Sequence, residues 1–144
     1  MYRLIENTQL TATVWRMKLE GDTSAIKAPG QFVQLTVPGF YLRRPISICD
    51  WDDTTITLVY KVVGQGTEAM SAMKLGMELD VLNGLGNCFD TSRCGDKPLL
   101  IGGGVGLPPM IGLCRQLLAE GKHPTVLAGF NTESEVFLRD AVEA

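Results

Sequence analysis

The run Leu42-Arg43-Arg44-Pro45-Ile46-Ser47-Ile48 puts two cations, a proline and a hydroxyl into one strand-like stretch. Leu42, Pro45, Ile46 and Ile48 fit a partly buried β-strand. Alternation sends the side chains of Arg43 and Arg44 to opposite faces, so one of them leaves the solvent face or sits at the strand's edge. A bound anion accounts for such a cation, because a guanidinium offers a fork of fixed donors suited to phosphate. Ser47 lies three residues beyond Arg44, roughly 10 Å along an extended chain. That span suits a ligand with a phosphate near one end and a polar ring edge at the other. Spacing alone leaves a plain surface strand with solvated arginines equally open.

The chain around this run is β-rich. Leu4 to Leu10 and Thr11 to Leu19 are strand-like. In the second, Val14, Arg16 and Lys18 share one face and Trp15, Met17 and Leu19 the other. Gln31 to Val37 follows Ala28-Pro29-Gly30 and closes at Pro38-Gly39. Asp50-Trp51-Asp52-Asp53 reads as a turn, and Thr55 to Val63 as a strong strand of β-branched and aromatic residues. After Gly64-Gln65-Gly66 the period changes. Thr67 can cap a helix from Glu68 to Lys74, with Gly76 beyond its end and Met70 and Met73 facing inward. Glu78 to Leu82 returns to strand alternation, and Asn83 to Asn87 is a glycine-rich turn. Five or six short strands between turn residues suggest a small antiparallel barrel. Phe89 to Pro98 is polar and turn-rich, which divides the chain into residues 1–95 and 96–144.

The last third has a different pattern. Leu99-Leu100-Ile101 is a short apolar strand of the kind covered on both faces. Gly102-Gly103-Gly104-Val105-Gly106 follows at once, and Pro108-Pro109 opens a helix through about Glu120. Met110, Leu113, Cys114, Leu117 and Leu118 form its apolar face, and Gly121 ends it. Thr125 to Phe130 is a second strand, followed by a helix from Glu135 to about Val142. Strand, helix, strand, helix is the opening of a doubly wound nucleotide-binding domain. Glycines 103, 104 and 106 let the backbone turn sharply and approach a pyrophosphate at a helix N-terminus. The pattern departs from G-x-G-x-x-G, since Pro109 stands at the third glycine, and a tight structural turn is the plain alternative. No acid ends the second strand to hold a ribose. Asn131 and Glu133 lie just after it.

Composition narrows the classes further. An apolar content of 45% with 20% charged residues is that of a globular protein. A net charge of −3 without a basic run argues against nucleic acid as partner. No apolar run is long enough to span a membrane, and the N-terminus lacks the shape of a signal peptide, so the expected location is the cytoplasm. Cys49, Cys88, Cys94 and Cys114 have no C-x-x-C spacing and are expected as free thiols, with no metal site. His123, just before a strand, is expected in a surface loop, and no side chain is assigned as catalytic.

The run Arg44-Pro45-Ile46-Ser47 resembles the flavin-binding signature of the ferredoxin-reductase superfamily, an arginine, two intervening residues and a Ser or Thr. Leu42 to Ile48, Val59-Tyr60-Lys61, Gly64-x-Gly66-Thr67 and Gly102 to Pro109 together resemble one branch, the electron-transfer subunit of the NAD-linked dihydroorotate dehydrogenase. The resemblance implies a small antiparallel FAD-binding barrel followed by the first half of a doubly wound NAD-binding domain. It implies that Arg44 pairs with the flavin pyrophosphate and that Pro45, Ile46 and Ser47 lie along the flavin, with Ser47 tuning the ring. Val59, Tyr60 and Lys61 would line the cofactor, while Gly66 and Thr67 would present backbone and hydroxyl donors to phosphate. It further implies a hetero-oligomer with a dihydroorotate dehydrogenase catalytic subunit, relaying electrons from dihydroorotate oxidation to NAD in pyrimidine biosynthesis. The shared motifs also suit a flavin reductase serving a hydrogenase, a sulfite reductase or a ferredoxin, or a flavin-binding module without catalysis.

Such subunits end in a cysteine cluster for a [2Fe–2S] centre, spaced like C-x₄-C-x₂-C with a later cysteine. No such spacing occurs here, and the nucleotide domain stops after two helices. The expectation is a fragment of a longer protein, with the iron–sulfur centre confined to the longer form and the NAD site partial.

Overall fold

The computed structural model describes residues 1–143. The first part holds β1 (Tyr2–Gln9), β2 (Val14–Glu20), β3 (Phe32–Leu35), β4 (Arg44–Trp51), β5 (Thr55–Lys61), α1 (Gln65–Ser71), β6 (Glu78–Leu79) and β7 (Val81–Leu85). The second holds β8 (Leu99–Gly103), α2 (Pro108–Ala119), β9 (Thr125–Gly129) and α3 (Arg139–Glu143).

The first seven strands form one antiparallel sheet in the order β6-β1-β2-β5-β4-β3-β7. Only Asp80 separates β6 from β7, and the two pair at opposite ends of the sheet, Leu79 with Tyr2 and Val81 with Leu35. The sheet therefore curls into a nearly closed barrel. Alternation supplies its filling: Leu4, Met17, Leu19, Val33, Leu35, Ile56 and Leu58 all point inward and are buried. Met70 and Met73 close one end from α1 and the turn after it. The expected run from Glu78 to Leu82 is thus two strands, and Asn83 to Leu85 extends β7 rather than forming a turn.

Three further details depart from the expectation. Asp50 and Trp51 belong to β4, because they continue its pairing with Thr57 and Ile56. Leu42 stands outside β4 and is exposed. Helix α1 starts at Gln65, with Gly64 as its cap residue, so Thr67 lies inside the first turn. The Thr67 hydroxyl reaches back to Gly64 and stabilises the start from within.

Strands β8 and β9 are parallel, in register from Leu99–Thr125 to Gly103–Gly129. Helix α2 covers one face, with Leu113 and Leu117 packed on Leu100. Leu99, Ile101 and Leu127 are 60, 65 and 57% exposed. The apolar run is therefore covered on one face, because a helix lies on one side of this pair and alternation turns the other residues outward. Leu118 is also exposed, since it is rotated about 100° from Leu117 and leaves the packed stripe. The expected helix from Glu135 is interrupted. A 3₁₀ turn occupies Glu133–Glu135, and α3 begins only at Arg139, after Leu138 at φ +58°. Phe137 explains the break. It is buried with Val14, Cys49 and Val59 of the barrel and meets Phe130 edge-on at 5.3 Å, which a continuous helix would not allow.

The two parts meet along β4. A Cβ on Gly112 of α2 would lie 2.9 Å from the Cys49 carbonyl oxygen, so the helix sits as close as backbone atoms permit. Arg115, one turn on, forms an ion pair with Asp50, donates to the Trp51 carbonyl at 2.9 Å and lies over the Trp51 ring. Burial raises the Asp50 carboxyl above its ordinary range, although the Arg115 charge pulls it back. Cys94 of the linker and Cys114 of α2 flank the same apolar cluster of Leu100, Leu113 and Leu117, so the helix face and the linker are closer than their sequence contexts imply. Among the described residues, no helix is long and apolar enough to cross a membrane.

Two outcomes follow from this joint. Gly112→Val should cost about 1–3 kcal/mol, since the added carbons meet backbone that cannot yield. A urea midpoint equal to that of wild type would show that the helix can lift away freely. Burial, reinforced by the Asp50 charge, pushes the Cys49 thiol up to about 12. At pH 8 its thiolate fraction is roughly one in ten thousand, so alkylation followed by peptide mapping should mark exposed Cys88 and spare Cys49 until the protein unfolds.

Candidate functional site

The site begins where β4 and β5 separate. Their shared register runs from Trp51–Ile56 to Ile48–Leu58, with an irregularity at Cys49, and then stops. Beyond it, Arg44 to Ser47 pair with β3, while Val59 to Lys61 pair with β2. The barrel wall is therefore split between the two strands, and backbone groups of β4 face the split. Pro45 is tolerated here because it has no N–H to offer a neighbour on that side. Pro45 and Ser47 are exposed, Ile46 is half-buried, and Ile48 begins the core.

The two arginines part as alternation demands. Arg43 pairs with Asp80 at 2.5 Å and donates to its carbonyl at 3.1 Å, which ties it to the β6–β7 junction. Arg44 turns the other way. Its guanidinium carbon lies 5.2 Å from the centroid of the Phe40 ring, and one nitrogen donates to the Leu42 carbonyl at 2.5 Å. The rest of the fork lies against Gly66, where any Cβ would overlap it. Glycine at 66 is thus what lets Arg44 lie across the first turn of α1. Amides in a helix's first turn have no acceptor within the helix. The resemblance implies Arg44, Pro45, Ile46, Ser47, Gly66 and Thr67 at one site; in the fold Arg44 lies against Gly66 in the turn that Thr67 braces, and Pro45, Ile46 and Ser47 continue β4 from Arg44 along the split.

Thr67 finds its hydrogen-bond partners within the loop itself. Its hydroxyl accepts from the Val63 and Gly64 amides at 2.9 and 3.2 Å and donates to the Gly64 carbonyl at 3.1 Å. It shapes the loop that presents Gly66. Tyr60 is likewise internal. It is buried, and its hydroxyl donates to Asn7 at 2.9 Å, while Asn7 donates to the Met70 carbonyl at 2.9 Å. Burial raises the Tyr60 phenol well above its ordinary range, so it stays neutral. This chain anchors the far end of α1 to the barrel. Val59 is buried against Phe137 and Cys49.

A second concavity of about 560 Å³ opens between the barrel and the carboxyl ends of β8 and β9. Lys61, Thr11 and Thr13 form its barrel wall, and Gly103, Gly104 and Asn131 face them. Its size is that of a small-molecule or cofactor site, and the ends of parallel strands are where such folds bind nucleotides. Gly104 has φ +53°, a conformation glycine adopts freely, and it starts the short 3₁₀ turn Gly104–Gly106 that leads into α2. Gly106 lies in that turn. Sequence spacing missed Thr11, Thr13, Phe130 and Glu135, which come from turns whose inward direction only the fold sets. Among the described residues, no group of three or more His, Cys, Asp or Glu stands together as a metal site.

No protein-family model matches the chain. Curated relatives do. The Fusobacterium nucleatum protein named dihydroorotate dehydrogenase B (NAD(+)), electron transfer subunit, is 36% identical over 143 residues, covering 94% of this chain and 55% of the relative. The Enterococcus faecalis protein of the same name is 40% identical over 144 residues, covering 95% and 55%. Among solved structures, the NADH-dependent reduced ferredoxin-NADP oxidoreductase superposes with a TM-score of 0.87 at 26% identity, over 97% of this chain and 52% of that one. Phthalate dioxygenase reductase superposes with a TM-score of 0.85 at 19% identity over 99% and 47%, a likeness in fold. The split barrel, the glycine turn and these relatives agree: the chain is similar to the dihydroorotate dehydrogenase B electron transfer subunits over nearly all its length and spans a little over half of theirs.

Proposed function

We propose that the chain is the flavin-binding part of such an electron transfer subunit. In the complete protein it would pass electrons from dihydroorotate oxidation, received from a catalytic partner subunit through an iron–sulfur centre, to NAD in pyrimidine biosynthesis. The observation that carries this reading is the Arg44 fork lying across Gly66 at the edge of the barrel's split. A cation held against free first-turn amides suits a pyrophosphate, and the exposed edge from Pro45 to Ser47 suits the flat ring joined to it. FAD fits these residues.

The division of labour follows from position. Residues 1–95 would hold FAD, and residues 96–144 would begin the NAD site at Gly103, Gly104 and Gly106. Arg44 would bind the diphosphate, Gly66 makes room for the Arg44 guanidinium, and Thr67 holds the loop in shape. Ile46 and Ser47 orient the ring, with the Ser47 hydroxyl as a hydrogen-bonding tuner. Lys61 stands between the two sites, and Val59 and Tyr60 support the wall from inside. A bound flavin supplies the exchange between hydride and single-electron chemistry that neither nicotinamide nor an iron–sulfur centre performs alone. No side chain of this chain is assigned as an acid or base. The working location proposed is the cytoplasm, in a hetero-oligomer with the catalytic subunit.

Purified chain should be yellow and release FAD on denaturation. Arg44→Ala should lose a charge-assisted contact of about 1.5–3 kcal/mol, a fall in flavin affinity of roughly 10- to 100-fold. Arg43→Ala should leave affinity near wild type, because Arg43 is engaged with Asp80. Flavin retained as tightly by Arg44→Ala as by wild type would sink the assignment. Iron and acid-labile sulfide should be absent from anaerobically purified chain. Stoichiometric iron with sulfide would show that Cys49, Cys88, Cys94 and Cys114 converge after all.

A further inference from the structure

We infer that Cys94 and Lys122 form a redox-controlled covalent tether, in which hydrogen peroxide oxidises the thiol and the lysine amine then closes a sulfur–nitrogen bond. The inference stands apart from the flavin and nucleotide roles proposed above and uses residues of neither site. By sequence, Cys94 lies in the linker between the two units and Lys122 just past the end of α2, 28 residues further on. The fold brings them together. Lys122 Nζ donates to Cys94 Sγ at 3.4 Å, and the thiol is half-buried, within reach of a small oxidant.

Backbone holds both partners in place. Gly121, at φ +79°, turns the chain after α2, and the Lys122 amide returns to the Leu117 carbonyl at 3.0 Å. The chain then runs beside the linker, with the His123 amide on the Asp96 carbonyl at 2.7 Å and the Thr125 amide on the Pro98 carbonyl at 2.9 Å. From the linker side, the 3₁₀ turn Thr91–Arg93 brings the Thr91 carbonyl to both groups, accepting from Lys122 Nζ at 2.6 Å and from the Cys94 thiol at 3.2 Å. The Glu120 carboxylate stands 3.6 Å from Nζ, and the Lys122 side chain is only 19% exposed, so the amine is kept at the sulfur. In the first step the O–O bond of peroxide breaks and an S–O bond forms; the sulfur is oxidised to a sulfenic acid and the peroxide is reduced to water. In the second, Lys122 gives one proton to solvent and Nζ attacks Sγ. The S–N bond forms as the S–O bond breaks, and the hydroxyl takes a further nitrogen proton and departs as water. The product encloses β8 and α2 in a covalent loop and fixes the far end of the helix that docks on β4. A thiol reductant reopens it.

The test uses the full chain, treated with a slight excess of hydrogen peroxide, then blocked at its remaining thiols and mapped by trypsin and mass spectrometry. Wild type should yield one species joining the Cys94 and Lys122 peptides, about 2 Da lighter than their sum, uncut after Lys122 and separated again by dithiothreitol. Lys122→Arg, which keeps the cation and removes the primary amine, should lose that species. Its Cys94 sulfenic acid should be trapped by dimedone about fivefold more than in wild type, since no amine consumes it. Equal trapping in the two proteins overturns the inference, as does a disulfide from Cys94 to another cysteine, or oxidation of Cys88 with Cys94 left as thiol. Treatment in urea should abolish the joined species, and a yield equal to that of the folded chain would show that the fold does not bring the two groups together. If Lys122→Arg fails to fold, the wild-type map decides alone: no joined species means no tether.

Discussion

Strands β4 and β5 share no register beyond Ile48 and Leu58, and the rest of the site depends on that parting. A barrel wall with every strand paired would leave no backbone edge for a ligand and no place for Pro45. The parting also frees the end of β5 to turn through Gly64 into α1, whose first turn then faces the start of β4. Arg44 closes this corner because position 66 is glycine. Remove the divergence and the arginine, the helix start and the hydroxyl of Ser47 have no common space to face.

The other end of β4 carries the second unit. Ser47 and Asp50 are three residues apart, so one strand bears the candidate ring edge at one end and the clasp for α2 at the other. The contact itself is close and smooth, a glycine against a carbonyl. Arg115 supplies direction by engaging Asp50 and Trp51 together. Exposed ion pairs contribute little to stability, typically about 0–1 kcal/mol, so the apolar cluster of Val14, Cys49, Val59 and Phe137 carries more of the docking.

Much of this was legible in the residues. Period-two alternation found the barrel strands, and the glycine run between Ile101 and Pro108 found the α/β unit. The signature from Arg44 to Ser47 located the corner. What alternation could not tell was which of two adjacent arginines faces it, since that depends on Asp80 being brought to Arg43 by the β6–β7 junction. Thr67 was misplaced because a threonine can cap from the cap position or brace from three residues inside, and local sequence allows both. Leu99 and Ile101 resembled core because apolarity does not reveal how many layers cover a strand. Glu135 escaped notice because the helical period around it is overridden by one side chain, Phe137, whose burial depends on a strand more than a hundred residues earlier.

The pairing of β1 with β6 has a consequence for how the protein is made. Tyr2 meets Leu79, and Asn7 meets Met70, so the barrel's ends join across most of its sequence. Contacts of that separation form late and slowly, because a long loop must close before they give anything back. On a ribosome the first strand must therefore wait, edge exposed, until β6 and β7 have emerged. The β8–α2–β9 unit closes a far shorter loop and can assemble as soon as it is synthesised. The wall that carries Arg44 and Gly66 is accordingly completed only by the slow event. A chain halted before Leu79 would carry every residue of that corner and still lack the closed barrel that sets them in place.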